Sequence, residues 1–248
     1  SNTIQAITNQ ISTPQMKEKI QQALPPHISM EKFIQVTKTA LNREPRLARC
    51  DHKSILTAMI NCAYDGLMPD GREAAITSNG SEARYMIMIA GILKKMRNSG
   101  EIQSLDAAVV YENDHFIYRR GTDPKIEHCP VMFGDKGKII CVYAICKTKD
   151  GGMYFDVMGI EDIEKVKSMS KAGNNSPWKH WYEEMAKKTV LRRLSKLLPM
   201  STDVENSITQ DDELYDYNLL DQQNKQDAVQ KKLARFSQSS QSAYNGTS

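Results

Sequence analysis

The sequence predicts an α+β fold in which helices pack against antiparallel strands arranged as a hairpin and a meander. Apolar residues recur at helical spacing in the first third of the chain. Apolar and polar residues then alternate between turn signals in the middle. Runs of strands beside runs of helices, rather than a regular alternation of the two, favour α+β over a parallel α/β sheet.

We expect three parts along the chain. Residues 1–13 are predicted to be a flexible N-terminus, residues 14–200 to form the folded core, and residues 201–248 to form a mobile tail. The tail is rich in Gln, Ser, Asn and Asp, which is typical of segments that cannot bury a core. It carries 4 Lys and Arg against 8 Asp and Glu, whereas residues 1–200 carry 29 against 22. A basic body with an acidic tail favours a polyanionic partner for the body.

The N-terminal region is predicted to be helical. Thr13 and Pro14 open a helix that the prolines after Leu24 end, a second helix spans 29–42, and Asp51 caps a third that stops at Gly66. Turn residues on either side of a short strand, Glu73 to Thr77, then predict a β-hairpin.

The helical period returns from Arg84 to Asn98 and predicts a helix there. Gly91 falls on its polar face. It is either a tolerated glycine or the point where another backbone or a ligand comes close. Further strands are predicted at 105–111, 116–119, 139–147 and 153–158, and a helix at 160–169.

The segment from Ser168 to Pro199 joins a polar loop to a basic helix. Ser176 is a candidate N-cap, Pro177 suits the first helical position, and Pro199 ends the helix. Lys188, Arg192 and Lys196 repeat every four residues opposite an apolar stripe, and no acid occurs from 186 to 199. The pattern predicts either an exposed basic stripe or an ordinary solvated face. Lys187 falls toward the apolar side, where Glu183 or Glu184 can pair with it.

Signatures of common enzyme classes are missing from the sequence. It has no GxxxxGK[ST] phosphate loop, no GxGxxG after a strand, and no GxSxG or HExxH motif. Asp156, Glu161 and Asp162 are close in sequence, but acids at a strand end and helix start are usually solvated or capping, so a metal nuclease is a distant alternative.

The cysteines and histidines do not suggest a metal site. The five cysteines form no close CxxC pair, and the Cys50–His52 and His128–Cys129 pairs lack the spacing of zinc ligands. We assign no catalytic residue and no metal site. The cysteine pattern also argues against a disulfide framework, so we expect a cytoplasmic location. No apolar run approaches 18 residues, so we expect no membrane association.

A family resemblance rests on the loop and the basic helix together. The chain closely resembles the RecT family of phage and prophage single-strand annealing proteins, which is similar to the Red beta type. The matching segments are Ser168 to Asn175, Pro177-Trp178, Glu184 to Thr189, Arg192-Arg193-Leu194 and Leu198-Pro199, with support from Met16 to Glu18, Gly66 to Pro69, Arg97 to Ile102, Val109 to Glu112 and Gly151-Gly152.

This resemblance implies a non-catalytic protein that coats single-stranded DNA and pairs complementary strands without ATP, with Mg²⁺ assisting annealing. It implies rings or helical filaments of one chain, an annealed duplex as product, a partner exonuclease, a host single-strand-binding protein, and a phage or prophage origin in a bacterial host. The core over 14–200 would bind DNA and oligomerise.

Annealing requires neutralised phosphates and exposed bases, so basic side chains should dominate the site. On the long helix and its loop we expect DNA contacts from Lys188, Arg192, Arg193, Lys196, Lys171, Asn174 and Asn175. Secondary candidates are Arg72, Arg84, Lys94, Lys95 and Arg97. Trp178 and Trp181 are candidates for base stacking, with packing at a helix start as the alternative. A different function, a replication or recombination scaffold whose basic helix is a subunit interface, stays open.

Overall fold

A computed structural model describes residues 2–170, 177–179, 181–200 and 202–209. The N-terminal region is helical: α1 (Asn2–Ile11), α2 (Pro14–Ala23), α3 (Met30–Arg43) and α4 (His52–Tyr64), with a short 3-10 helix at Pro45–Arg49. The predicted caps are in place, because the side chains of Thr13, Ser29 and Asp51 each accept a hydrogen bond from a backbone N–H in the first turn of the helix that follows.

The prediction of a flexible N-terminus is wrong for the described residues. α1 begins at Asn2, and it buries Ile4, Ile7 and Ile11, which have exposed fractions of 7, 0 and 0 %. These three isoleucines follow helical spacing, so they form one apolar face that packs on the neighbouring helices.

The predicted β-hairpin is present as β1 (Ala74–Asn79) and β2 (Glu82–Ile87), paired antiparallel around a turn at Gly80 and Ser81. Gly80 has φ of 62°, a conformation that a hairpin turn requires and that glycine adopts without strain. The helix predicted from Arg84 is shorter than expected, since α5 spans Ile89–Asn98. Arg84 belongs to β2 because pairing with β1, a tertiary contact, outweighs the local helical period.

The main sheet has three antiparallel strands in the order β3–β6–β7. Their ranges are β3 (Ile102–Tyr111), β6 (Ile139–Thr148) and β7 (Met153–Gly159). Between β3 and β6 the chain forms a separate antiparallel ribbon of β4 (His115–Arg119) and β5 (Lys125–Cys129). The α+β class with antiparallel strands is confirmed, but the simple meander is not, because the ribbon leaves the sheet and β3 pairs with β6.

Helices cover one face of the sheet, and the β4–β5 ribbon packs on part of the other face. α6 (Ile160–Ser168) follows β7 directly, and α7 (Tyr182–Ser195) lies across all three strands with α5 beside it. Alternate residues of β6, Val142, Ala144 and Cys146, join this helical core. On the opposite face Tyr143 packs with Phe116 of the ribbon at a ring distance of 5.7 Å, in a smaller second cluster.

The chain after residue 200 begins with a helix, α8 (Thr202–Thr209). Ile208 and Ser207 are buried there, and the Ser207 hydroxyl donates a hydrogen bond of 2.6 Å to Asp65. The first residues of the predicted mobile tail are thus held against α5 and the end of α4. The rest of the tail, 210–248, lies outside the described residues.

Candidate nucleic-acid interface

The basic helix α7 is shorter than the sequence predicts. Pro177–Lys179 forms a 3-10 turn, and Trp181, with φ of −134° and ψ of 43°, is the N-cap of α7. The helix of 14 residues is therefore about 21 Å long rather than 33 Å. The predicted N-cap, Ser176, lies outside the described residues.

Contacts near its N-terminal end fix α7 on the sheet. The Tyr111 hydroxyl, at the end of β3, donates a hydrogen bond of 2.5 Å to Glu183. This bond raises the pKa of Tyr111 to about 12. Lys187 pairs with Glu184 at 2.6 Å, which confirms the predicted structural role of this lysine.

The prediction of an exposed stripe through Lys188 and Arg192 is wrong. Each has an exposed fraction of 3 %, and each has interaction partners within the protein. The periodicity misleads because α7 is enclosed by the sheet, α5 and α6, so that both its apolar face and the opposite face are buried. Conversely, Leu197, placed on the apolar stripe by sequence, follows the helix and is 58 % exposed.

Arg193 connects α7 to the sheet. Its guanidinium donates to both carboxylate oxygens of Asp156 on β7 and, at 2.8 Å, to the carbonyl of Val157. Burial alone would lower the pKa of Arg193, but the bond to Asp156 and its charge raise it above the usual value. The bidentate geometry is that of a strong charge-assisted pair, and 42 % of the arginine side chain stays exposed.

Both carboxylate oxygens of Asp156 are thereby occupied by the Arg193 guanidinium. Across the described ranges no group of three or more His, Cys, Asp and Glu residues could hold a metal ion. Among the helices of these same residues, none is both long and apolar enough to cross a bilayer.

Two of the secondary candidates form ion pairs within the fold. Lys94 bonds Glu73 at 2.9 Å and the carbonyl of Gly66 at 3.0 Å, and Lys95 bonds Asp65 at 2.8 Å. These lysines join α5 to the hairpin and to the end of α4. Their charge is already balanced, so they are poorer phosphate ligands than their sequence suggests.

The other secondary candidates are more accessible. Arg72 is exposed just before β1, and Arg97 is exposed at the end of α5, where it donates a bond of 3.4 Å to the carbonyl of Leu105. Arg84 is partly exposed and lies 3.5 Å from Glu82. Lys196 is exposed at the end of α7.

Gly91 marks a close approach between backbones, one of the two interpretations that the sequence allows. A Cβ atom there would lie 2.1 Å from the carbonyl oxygen of Glu73. That oxygen also accepts the Met88 N–H at 2.9 Å. The glycine therefore allows α5 to pack directly on the backbone at Glu73, just before β1.

The two tryptophans have different environments. Trp178 is 2 % exposed and packs edge-on against Tyr182, with ring centroids 5.6 Å apart, so it serves packing. Trp181 is 58 % exposed and leaves its ring available to a base. Lys179, beside them and exposed, was not among the predicted site residues, although the Trp-Lys-His-Trp run is a basic and aromatic pattern in the sequence. The loop candidates Lys171, Asn174 and Asn175 lie outside the described residues.

Comparisons with known proteins agree on one family. The family model described as the RecT family matches residues 31–231, which include α3 to α8. Protein RecT of Escherichia coli (strain K12) is 38 % identical over 212 residues, which cover 82 % of this chain and 78 % of that protein. A match of this length includes the hairpin, the main sheet and the basic helix, and the chain therefore belongs to the RecT family of recombination and strand-annealing proteins.

Proposed function

We propose that this chain binds single-stranded DNA, coats it as an oligomer and anneals it to a complementary strand without ATP or a catalytic site. Family membership over residues 31–231 carries the proposal. The physical task is to reduce repulsion between two phosphate backbones while the bases stay free to pair. A set of surface cations with few base-specific donors suits that task.

The burial of each cation changes the order of the candidate DNA ligands. Arg72, Arg97 and Lys196 are exposed and come first, and Lys179 joins them. Arg193 follows, since part of its side chain stays exposed beside Asp156. We assign base stacking to Trp181 and phosphate contacts from the loop to Lys171, Asn174 and Asn175. Arg84 is retained, whereas Lys94 and Lys95 are paired with acids and Lys188 and Arg192 are buried, so these four are removed from the proposed phosphate contacts.

The proposed assembly is a ring or filament of identical chains on DNA, holding the annealed duplex as its product. Mg²⁺ would assist by screening phosphates rather than by binding a fixed site. We further propose a partner exonuclease that exposes single strands, a host single-strand-binding protein, and a bacterial cytoplasm with phage or prophage origin. The scaffold alternative is less favoured, because the basic helix is largely enclosed by its own chain.

An annealing assay tests the function directly. Two complementary oligonucleotides are mixed with the full chain in the absence of ATP, and duplex formation is followed by fluorescence. We expect pairing faster than the spontaneous rate. No acceleration at any salt concentration would contradict the proposal, and oligomers that ignore DNA would then favour the scaffold.

Charge reversals at exposed positions test the site. Lys196→Glu and Arg97→Glu should weaken single-strand binding at low salt, and each lost phosphate contact should reduce the slope of log affinity against log salt by about 0.7. Lys32→Glu, an equal change of charge at an exposed position of α3, is the matched control. If Lys196→Glu and Arg97→Glu bind DNA with the same affinity and salt slope as the Lys32→Glu control and the unaltered chain, Lys196 and Arg97 do not belong to the site.

A further inference from the structure

An open depression lies at the edge of the main sheet, beside the turn between β4 and β5. Its volume is about 210 Å³, and its lining is almost equally polar and apolar. The turn contributes Arg120, β7 contributes Met153, Tyr154 and Phe155, and Leu197 closes the side next to the end of α7. A cavity of about 150 Å³ is enough to hold benzene, so the depression has room for a single nucleobase.

The apolar part of the depression is held in place and stays open to solvent. Met153 and Leu197 are 54 and 58 % exposed. Phe155 is partly buried, and its ring meets the ring of Tyr118 edge-on, with centroids 6.2 Å apart. Aromatic side chains that are both fixed and accessible are surfaces on which the bases of single-stranded nucleic acids stack, whatever their sequence.

Backbone groups supply part of the polar lining. β7 is an edge strand, because the order of the sheet is β3–β6–β7. Alternate residues of such a strand direct their N–H and C=O groups away from the neighbouring strand. The carbonyl of Val157 points this way, since it accepts a hydrogen bond of 2.8 Å from Arg193. Phe155 and Met153 lie two and four residues before Val157, so their backbone groups face the same side.

Three exposed cations surround the depression. Arg120 is part of its lining. Lys147 pairs with Met153 across β6 and β7, so the two side chains lie on the same face of the sheet. Lys196, at the end of α7, directly precedes Leu197. A strand whose base enters the depression can therefore place its phosphates against positive charge.

The acids of this region are engaged within the chain. Asp123, in the same turn as the arginine of the lining, pairs with Arg119 at 2.7 Å. Both carboxylate oxygens of Asp156 on β7 accept from Arg193. Asp150, in the turn before β7, accepts from a hydroxyl at the end of β6 and from a backbone N–H. The remaining charge around the depression is positive, which favours an occupant that carries phosphates.

We propose that this depression binds one nucleotide of single-stranded DNA, with the base against Phe155 and Leu197 and the adjoining phosphates on Arg120 and Lys147. The contact is separate from the stacking assigned to Trp181, because Trp181 and Leu197 flank opposite ends of α7, which is about 21 Å long. The inference rests on the proposed function and adds a second place, distant from the first, at which the strand is held.

A matched pair of substitutions tests the base contact in the full chain. Met153→Glu puts a charged side chain into the depression at a position paired with Lys147, where an acid is tolerated. Met132→Glu makes the same change at a methionine that is 74 % exposed between β5 and β6, and it is the control. Affinity is measured for a thymidine oligonucleotide and for an abasic strand of equal length. The ratio of the two affinities isolates the bases from the phosphates. We expect Met153→Glu to lower this ratio about fivefold or more, and Met132→Glu to retain it.

A second variant tests the phosphate contact. Arg120→Gln should reduce the slope of log affinity against log salt by about 0.7, the effect of one lost contact, whereas Lys32→Gln on α3 should leave the slope as it is. An unchanged affinity ratio in Met153→Glu, an equal fall in Met132→Glu, or an unchanged slope in Arg120→Gln overturns the inference. If Met153→Glu keeps the ratio but sediments differently without DNA, the occupant is a protein segment and the inference is also wrong. Thermal unfolding shows which variants are folded, and Arg120→Gln decides alone if Met153→Glu is not.

The unaltered chain separates this failure from failure of the proposed function. If it binds and anneals single strands while the variants keep its affinity ratio and salt slope, only the nucleotide site is wrong. If the unaltered chain does not bind single-stranded DNA, both proposals fail.

Discussion

Replacing Gly91 with alanine tests the close packing of α5 on the hairpin. In an ordinary helix this substitution stabilises a protein by about 1 kcal/mol, because alanine has the higher helix propensity. Here the added Cβ would lie 2.1 Å from the carbonyl oxygen of Glu73, and real Cβ atoms essentially never come closer than 3.0 Å to another heavy atom. The two backbones must therefore move apart by roughly 1 Å.

The movement also weakens the hydrogen bond of 2.9 Å from the Met88 N–H to the same oxygen, and it disturbs the pair between Lys94 and Glu73. Overpacking of this kind costs about 1–3 kcal/mol, and a buried hydrogen bond contributes about 1 kcal/mol. After the gain in propensity is subtracted, we expect a net loss in the free energy of unfolding of about 2 kcal/mol, which lowers Tm by about 4–8 °C.

The assay is thermal and urea unfolding followed by circular dichroism. Gly159→Ala is the matched control, because Gly159 has an ordinary φ of −65° and no atom within 4 Å of the added Cβ. We expect that control to change stability by less than about 1 kcal/mol. A Gly91→Ala protein as stable as the unaltered chain, or more stable, would refute the reasoning.

Two further predictions concern the N-terminal helix and the ribbon. Ile7→Ala should destabilise the protein by about 2–5 kcal/mol in the same unfolding assay, because Ile7 is fully buried; no change would mean that α1 does not pack on the core. Asp114→Asn tests how the stability of the protein depends on acid pH. Burial alone would raise the pKa of the Asp114 carboxyl, but the N–H groups of Tyr111 and Val131 and the ring of His128 outweigh it and lower that pKa. Its stabilisation is therefore complete above the unfolded pKa of about 3.9 and is lost as pH falls through the lower folded value. The variant should show a flatter fall in stability between about pH 5 and pH 2, and an unchanged pH profile would contradict this account.

Local sequence signals were sufficient to predict much of the N-terminal region and the hairpin. Thr13, Ser29 and Asp51 cap the helices that they were predicted to cap, and Gly80 occupies the turn. These outcomes depend on a few neighbouring residues, namely a cap, a proline or a glycine. Interactions of such short range can be predicted from neighbouring residues in the sequence.

The position of Arg84 and the pairing of β3 with β6 were not predictable in this way. Arg84 follows a helical period, yet pairing with β1 makes it part of a strand. The ribbon of β4 and β5 separates β3 from β6 by 27 residues, and no local pattern indicates which distant strand will be the partner.

By itself, the sequence determined the α+β class, the capped helices, the absence of recognised catalytic motifs and the family resemblance. Only the tertiary structure decided which cations are accessible. Lys188 and Arg192 are buried, Lys94, Lys95 and Arg193 are paired with acids, and Lys196, Arg72 and Arg97 remain at the surface. The physical reason is that helical periodicity sorts residues by face but does not say how many faces the rest of the chain will cover.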